Sequence, residues 1–192
     1  MSELAGTAGA TSGFADYTPA SPTPRSGLSF HVRNATDLDF DGIITVQADA
    51  ARPPFEKGLL SDILQDTNRV ILVALQGETV VGWAKTHYWP RDAGPAPAGH
   101  YLGGVTVTPR HRRQGVADEL TACRLEWIHS RAANVWYFVN ASNLASIDLH
   151  KRWGFEEVAR GSRFHGIEFT DGTGILLHAV IDTNRIELVP SH

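Results

Sequence analysis

Apolar and polar positions alternate along the chain with two different periods, and the switches between them mark its elements. Phe30 and Val32 alternate with polar neighbours over residues 29–33, as a half-buried strand requires, and residues 34–37 then supply turn and helix-capping side chains. The pattern predicts a helix over about 38–50. It stops before Arg52-Pro53-Pro54, because proline disfavours helix in the residue preceding it. A second short helix is expected over about 59–67. Segments 70–75 and 79–87, rich in β-branched and apolar residues, flank Gln76-Gly77-Glu78 and predict an antiparallel hairpin. The Pro/Gly/Ala stretch 89–99 reads as a surface loop, and a strand resumes over 101–108. From 113 to about 131, Val116, Leu120, Cys123 and Trp127 recur at helical spacing and form one face. Residues 135–139 form a nearly continuous apolar run, consistent with a strand covered on both faces. A helix over 143–153, ended by Gly154, precedes two closing strands, 155–160 and 173–181, joined by the long connection 161–172. Strands interleaved with crossover helices imply an α/β fold with a mixed sheet.

Composition narrows the function classes. A chain of 192 residues, 42% hydrophobic and 20% charged, can bury a proper core, and its length favours one domain. The expected organisation is a flexible, Ala/Gly/Ser/Thr/Pro-rich tail over 1–28 and a single domain over 29–192. With 17 basic and 21 acidic residues, the net charge of −4 offers no global attraction to nucleic acid or to an anionic membrane. No run reaches the roughly 20 apolar residues of a bilayer span, and the start lacks the features of a secretory signal. Cys123 is the only cysteine, which excludes an internal disulfide and fits a reducing cytoplasm. The nine histidines show no ligand spacing, so no metal site is expected.

The run Val105-Thr106-Val107-Thr108-Pro109-Arg110-His111-Arg112-Arg113-Gln114-Gly115-Val116-Ala117 reads as a strand, then a basic glycine-containing turn, then a helix start. A helix N-terminus exposes unpaired N–H groups and a partial positive charge, so this turn suits a diphosphate, and Gly115 permits close backbone approach. Arg112 to Ala117 resembles the pyrophosphate loop of the GNAT acetyltransferases, Q/R-x-x-G-x-G/A. A second segment, from Asn140 to Phe155, resembles the same family's N-x-x-N-x-x-A-x-x-L-Y-x-x-x-G-F. The resemblance covers about 30–181 and is strongest over 105–155. It implies a mixed, mostly antiparallel sheet of six to seven strands with about four helices, and acetyl-CoA as acetyl donor.

The same resemblance assigns parts. Backbone amides from Arg113 through Gln114, Gly115, Val116 and Ala117 would receive the pyrophosphate, assisted by Arg112 or Arg113; solvent exposure is the competing reading for each arginine. Val105 and Val107 would offer backbone groups to the pantetheine arm. Gly103-Gly104 suggests a bulge or a close backbone approach, and an amide near Gly104 or Val105 could hold the thioester oxygen. Asn143 would contact the cofactor, cap the following helix, or both. His150 stands where many members carry a tyrosine that protonates the departing thiolate; an imidazolium could do this, with packing as its alternative. The strand over 101–108 lacks the glutamate several relatives place there, leaving His87, His100, Glu56 or a water chain as base. Phe55, Glu56, Trp83, His87, Phe164 and His165 are the expected acceptor-side residues.

These expectations amount to an N-acetyltransferase acting on a primary amine of a small molecule, such as an antibiotic or amino-acid-like compound. A protein or peptide acceptor is the alternative within the same chemistry. A CoA-binding regulatory module with decayed catalytic groups is the alternative outside it. Oligomeric state is not encoded, although the resemblance allows a homodimer.

Overall fold

The structure, a computed structural model, describes residues 29–53, 57–169 and 173–183. The expected tail over 1–28 lies outside them. Nine strands and four α-helices follow one another as β1 (His31–Asn34), α1 (Phe40–Asp49), α2 (Lys57–Gln65), β2 (Ile71–Gln76), β3 (Thr79–Trp89), β4 (Gly99–Val107), α3 (Val116–His129), β5 (Asn134–Asn140), α4 (Leu144–Arg152), β6 (Glu156–Gly161), β7 (Arg163–Phe164), β8 (Ile167–Glu168) and β9 (Gly174–Val180). Seven strands form one sheet in the order β1-β2-β3-β4-β5-β9-β6, and β7 pairs with β8 alone. Every pairing is antiparallel except that of β4 with β5. The α/β class, the seven strands and the four helices agree with the expectation.

Strand alternation sends each side chain to a defined layer. Ile71, Val73 and Leu75 of β2 join Trp83, Ile43 and Leu60 in a core under α1 and α2, while Leu72 and Ala74 join Val116 and Leu120 under α3. Strand β2 is therefore buried on both faces, as its unbroken apolar run requires. A third core packs Leu125 and Ile128 of α3 with Tyr137 and Val139 of β5, Leu177 of β9 and Trp153 at the end of α4. A bidentate Arg33–Asp39 pair at 2.7 and 2.8 Å ties β1 to the entry of α1, and the guanidinium holds the Asp39 carboxyl below its ordinary range.

Three details depart from the sequence reading. Helix α3 begins at Val116 rather than 113, because Arg113 and Gly115 both take positive φ, at 64° and 92°, and form the turn before it. Its buried face is rotated, with Leu120, Arg124 and Ile128 fully covered and Cys123 and Trp127 at the flank. The connection over 161–172 contains the β7–β8 hairpin, whose two-residue turn, His165-Gly166, has φ of 46° and 79°, as a tight primed turn demands. No helix among the described residues is long and apolar enough to cross a membrane.

Candidate active site

Strand β4 is held by β3 as far as Val107, but β5 pairs with it only through Tyr101↔Trp136 and Leu102↔Tyr137. Beyond Leu102 the two strands separate while β5 continues along β9 to Asn140. The separation starts at a bulge. Between Ala84 and Thr86 of β3 the partner on β4 jumps from Val105 to Leu102, so Lys85 alone faces Gly103 and Gly104. Gly103 admits no side chain here: a Cβ would lie 2.8 Å from Lys85 Cγ and 2.9 Å from the Lys85 carbonyl oxygen. A Cβ on Gly104 would meet nothing within 4 Å, because that residue faces open space.

That space is a cavity of about 330 Å³ between the diverging strands. Leu102, Gly103 and Gly104 form its β4 side, and Tyr137, Phe138 and Asn140 its β5 side. His87 and Phe169 close it on one face of the sheet, and Asn143, at the start of α4, closes the other. Burial, with Lys85 and Arg69 nearby, pushes the His87 imidazole down to about 4, so it is neutral at pH 7 and can accept a proton. Burial also lowers the Lys85 ammonium to about 8. The Tyr137 hydroxyl lies 2.6 Å from Ser146 Oγ, and burial raises it above the usual phenol range despite the opposing influence of Ser146, Arg124 and Arg52. Asn143 Oδ1 accepts from the Ser146 amide and lines the cavity, so capping and cavity roles coexist.

The turn before α3 is built to present backbone donors. His111 anchors it: Nε2–H donates to Gln76 Oε1 at 3.1 Å, and Nδ1 accepts from the Thr108 hydroxyl at 2.7 Å. Gln114 Nε2 donates to the Arg110 carbonyl, and Arg112 Nε reaches the Val107 carbonyl at 3.4 Å. These bonds brace the turn, and its left-handed conformations at Arg113 and Gly115 are of the kind found in the concave backbone turns that bind anions. Asp118 in the first turn of α3 would oppose an anion, but Arg152 pairs with it at 3.3 Å.

A family model for the acetyltransferase (GNAT) family matches residues 40–155, more than half of the chain. The chain belongs to the GNAT acetyltransferases, a family of acyl-transferring enzymes. The fold agrees with solved members. The ribosomal-protein-S18-alanine N-acetyltransferase of Escherichia coli superposes with a TM-score of 0.64 at 20% identity, covering 80% of this chain and 95% of that one. The ribosomal-protein-alanine N-acetyltransferase of Brucella melitensis gives 0.62 at 22% identity, covering 78% and 99%. Arabidopsis thaliana NAA60, solved in complex with acetyl-CoA, gives 0.63 at 17% identity, covering 80% and 99%. No curated protein matches the chain by sequence.

Within this GNAT framework the expected site residues separate into distinct groups. His87, Gly104 and Asn143 line the cavity, Val105 and Val107 lie on the β4 segment that has left β5, and the turn and helix start from Arg112 to Ala117 lie directly beyond it. His150 does not line the cavity. It is fully buried, stacked at 3.8 Å on Tyr137, with Nδ1–H donating to the Ser146 carbonyl and Nε2 without a partner among the described residues. Burial, aided by Arg124, takes its pKa down to about 3, so the ring is neutral. His100 is buried edge-on to Trp127 on the α3 side of the sheet, away from the cavity. Trp83 lies in the α1–α2 core, where its indole N–H donates to Gln47 Oε1, and Phe164 is packed against Tyr101 and Leu176. His165 stacks on Trp89 at 4.5 Å and donates to the Pro97 carbonyl, fastening the β7–β8 hairpin to the loop before β4. Phe169, just past that hairpin, reaches the cavity instead. Phe55 and Glu56 lie outside the described residues.

Sequence reasoning missed Tyr137 and Phe169, and it missed Arg124. The first two read as plain strand and loop aromatics. Arg124 did leave a signal, since it stands four residues from both Leu120 and Ile128 on the covered stripe of α3.

Proposed function

We propose that this GNAT protein transfers acetyl from acetyl-CoA to a primary amine of a small, amino-acid-like molecule, by direct attack in a ternary complex. The reading takes 29–192 as one catalytic domain acting in the cytoplasm. The divergence of β4 and β5 at the Gly103–Gly104 bulge carries it. That opening gives an extended thioester arm a β4 edge that β5 has left, with the amide-rich turn at Arg113–Gly115 just beyond for the pyrophosphate. Acetyl-CoA supplies the activated acyl group; the chain's own residues supply positioning and proton control.

The two faces of the opening divide the proton work. His87 and Phe169 bound the acceptor side, and the neutral imidazole of His87 receives the proton the amine loses as its nitrogen bonds to the acyl carbon. Tyr137 bounds the other side. As the carbon–sulfur bond breaks, the Tyr137 hydroxyl, backed by Ser146, protonates the thiolate. His150 serves this step by stacking on Tyr137 and fixing its ring.

Basicity argues for the acceptor type. An alkyl amine has a pKa of about 10.4 and an α-amine about 7.7–8.0, so freeing an α-amine of its proton costs about 3 kcal/mol less. A weak base such as His87 suits the α-amine. A peptide N-terminus offers the same group, and the E. coli and Brucella proteins are named for an alanine of a ribosomal protein. Thiol release from acetyl-CoA should be measured at pH 7 with amino acids, amino-acid amides, short peptides and simple alkyl amines. Small α-amines should turn over faster than alkyl amines of similar size. Turnover of peptides alone would transfer the assignment to the peptide reading, and CoA binding without turnover of any amine would reduce the protein to a regulatory module.

A further inference from the structure

Arg124 is the largest fully buried side chain among the described residues, and no carboxylate there pairs with it. Its guanidinium is instead satisfied by neutral oxygens. Nε donates to the Leu120 carbonyl at 3.1 Å, and one Nη donates to Thr121 Oγ1 at 3.0 Å. The other Nη spans the bulge, reaching the Gly103 carbonyl at 2.9 Å and the Lys85 carbonyl at 3.3 Å. Burial lowers its pKa only to about 10, so it stays charged at neutral pH. A buried cation without a counter-ion is expensive to maintain and packs no better than a leucine would. Its placement against the one irregular stretch of β4 therefore asks for a role.

We infer that Arg124 is a positioning residue for the transfer step: by gripping the Gly103 carbonyl, it orients and polarises the Gly104 amide that receives the thioester oxygen. The inference rests on the acetyl-transfer reading above. The carbonyl of Gly103 and the N–H of Gly104 belong to one planar trans peptide unit and point in opposite directions. The Nη that holds the Gly103 carbonyl also holds the Lys85 carbonyl of β3, so that carbonyl is kept on the β3 side and the Gly104 N–H points away from β3, toward the gap that β5 leaves. A charged donor on that carbonyl withdraws electron density from the peptide, strengthening its N–H as a donor. The cation also lies behind the point where negative charge grows on the acyl oxygen, and such fixed charge stabilises a transition state more than a ground state. Lys85 completes the arrangement, because its carbonyl binds the same Nη and closes the bulge from the β3 side.

The test compares the wild-type protein with Arg124→Met, which keeps side-chain length without charge, and with Arg124→Lys. Three quantities are read: CoA affinity by calorimetry, kcat with a turned-over amine, and the infrared carbonyl stretch of bound 13C-acetyl-CoA. In the wild type the stretch should lie below that of free acetyl-CoA. In Arg124→Met it should return toward the free value, with kcat down by about tenfold to a hundredfold, in line with partial loss of an oxyanion donor, and CoA affinity within about threefold. Arg124→Lys should fall between the two. An unshifted stretch in the wild type overturns the inference without any variant, so a variant that fails to fold leaves it decidable. An Arg124→Met protein with unchanged stretch and kcat overturns it equally. Failure of the wild type to bind acetyl-CoA would instead remove the acetyl-transfer reading itself.

Discussion

At position 150 a helix residue that reads as a proton donor is, in the folded chain, a neutral ring sealed between Tyr137, Phe155 and its own helix. Its folded pKa of about 3 lies below the unfolded value of about 6.5, so the unfolded chain takes up the proton first as pH falls. The stability this residue contributes is complete above about pH 6.5 and is lost as pH drops toward 3. His87, lowered to about 4, acts with the same sign over a shorter window. Replacing His150 with phenylalanine should therefore flatten the acid limb: the drop in urea midpoint between pH 7.5 and 5 should be smaller than in the wild type. An equal drop would show that the buried imidazole is not what makes the fold acid-sensitive. Catalysis should respond elsewhere. Tyr137→Phe is expected to lower kcat on the order of a hundredfold with little change in acetyl-CoA affinity, the range typical of a lost general acid; unchanged turnover would hand the thiolate's proton to water. Nothing local distinguishes the two residues in sequence. Their roles depend on a stacking contact between β5 and α4 that only the folded chain creates.

Among the elements, β4 and the turn after it depend on glycines for different reasons, and substitution separates them. Gly103→Ala places a methyl against the Lys85 carbonyl and should destabilise the fold by about 1–3 kcal/mol, as overpacking does. Gly104→Ala meets open space, so its melting temperature should stay within a degree or two of the wild type while kcat falls, because the methyl would enter the space proposed for the acyl group. Equal losses of stability in both would remove the distinction. Gly115→Ala forces a side chain into φ of 92° and should cost about 1 kcal/mol, with acetyl-CoA affinity falling as the amides shift. The glycines, the basic turn and the capping asparagine Asn143 were legible because each acts over a few residues. The burial of Arg124 was not, since a charged side chain in a helix reads as a solvent face unless its neighbours four residues away are weighed with it. The β7–β8 hairpin was missed because its strands are only two residues long, although His165-Gly166 between aromatic and apolar neighbours carries the turn signal.

On the scale of the whole molecule the sheet is two half-sheets joined at a narrow seam. β1 to β4 share the cores under α1, α2 and the start of α3, and β5 and β9 share a core with the end of α3 and with Trp153 at the end of α4. Across the strands that should be neighbours they are joined by two residue pairs, by helix α3, and by Leu102 and Tyr101 of β4, which pack into the cores that β5 and β9 form. Sequence patterning shows each strand but not this seam, because β4 and β5 are separated by α3 in the chain and their parting appears only in the pairing register. A thioester arm lying between them would act as the missing strand, binding the native fold and not the unfolded chain. At about 100 times its Kd such a ligand stabilises by about 2.7 kcal/mol, a rise in Tm of roughly 5–11 °C for a chain of this size. Location discriminates more sharply than magnitude. Hydrogen exchange with and without acetyl-CoA should slow at residues 103–107, at 138–140 and in the turn over 113–117, while β1 and β6, at the far edges, remain as they were. Protection spread evenly over the sheet would mean general stiffening, and protection confined to the turn would mean that the nucleotide end binds while the arm stays out of the seam.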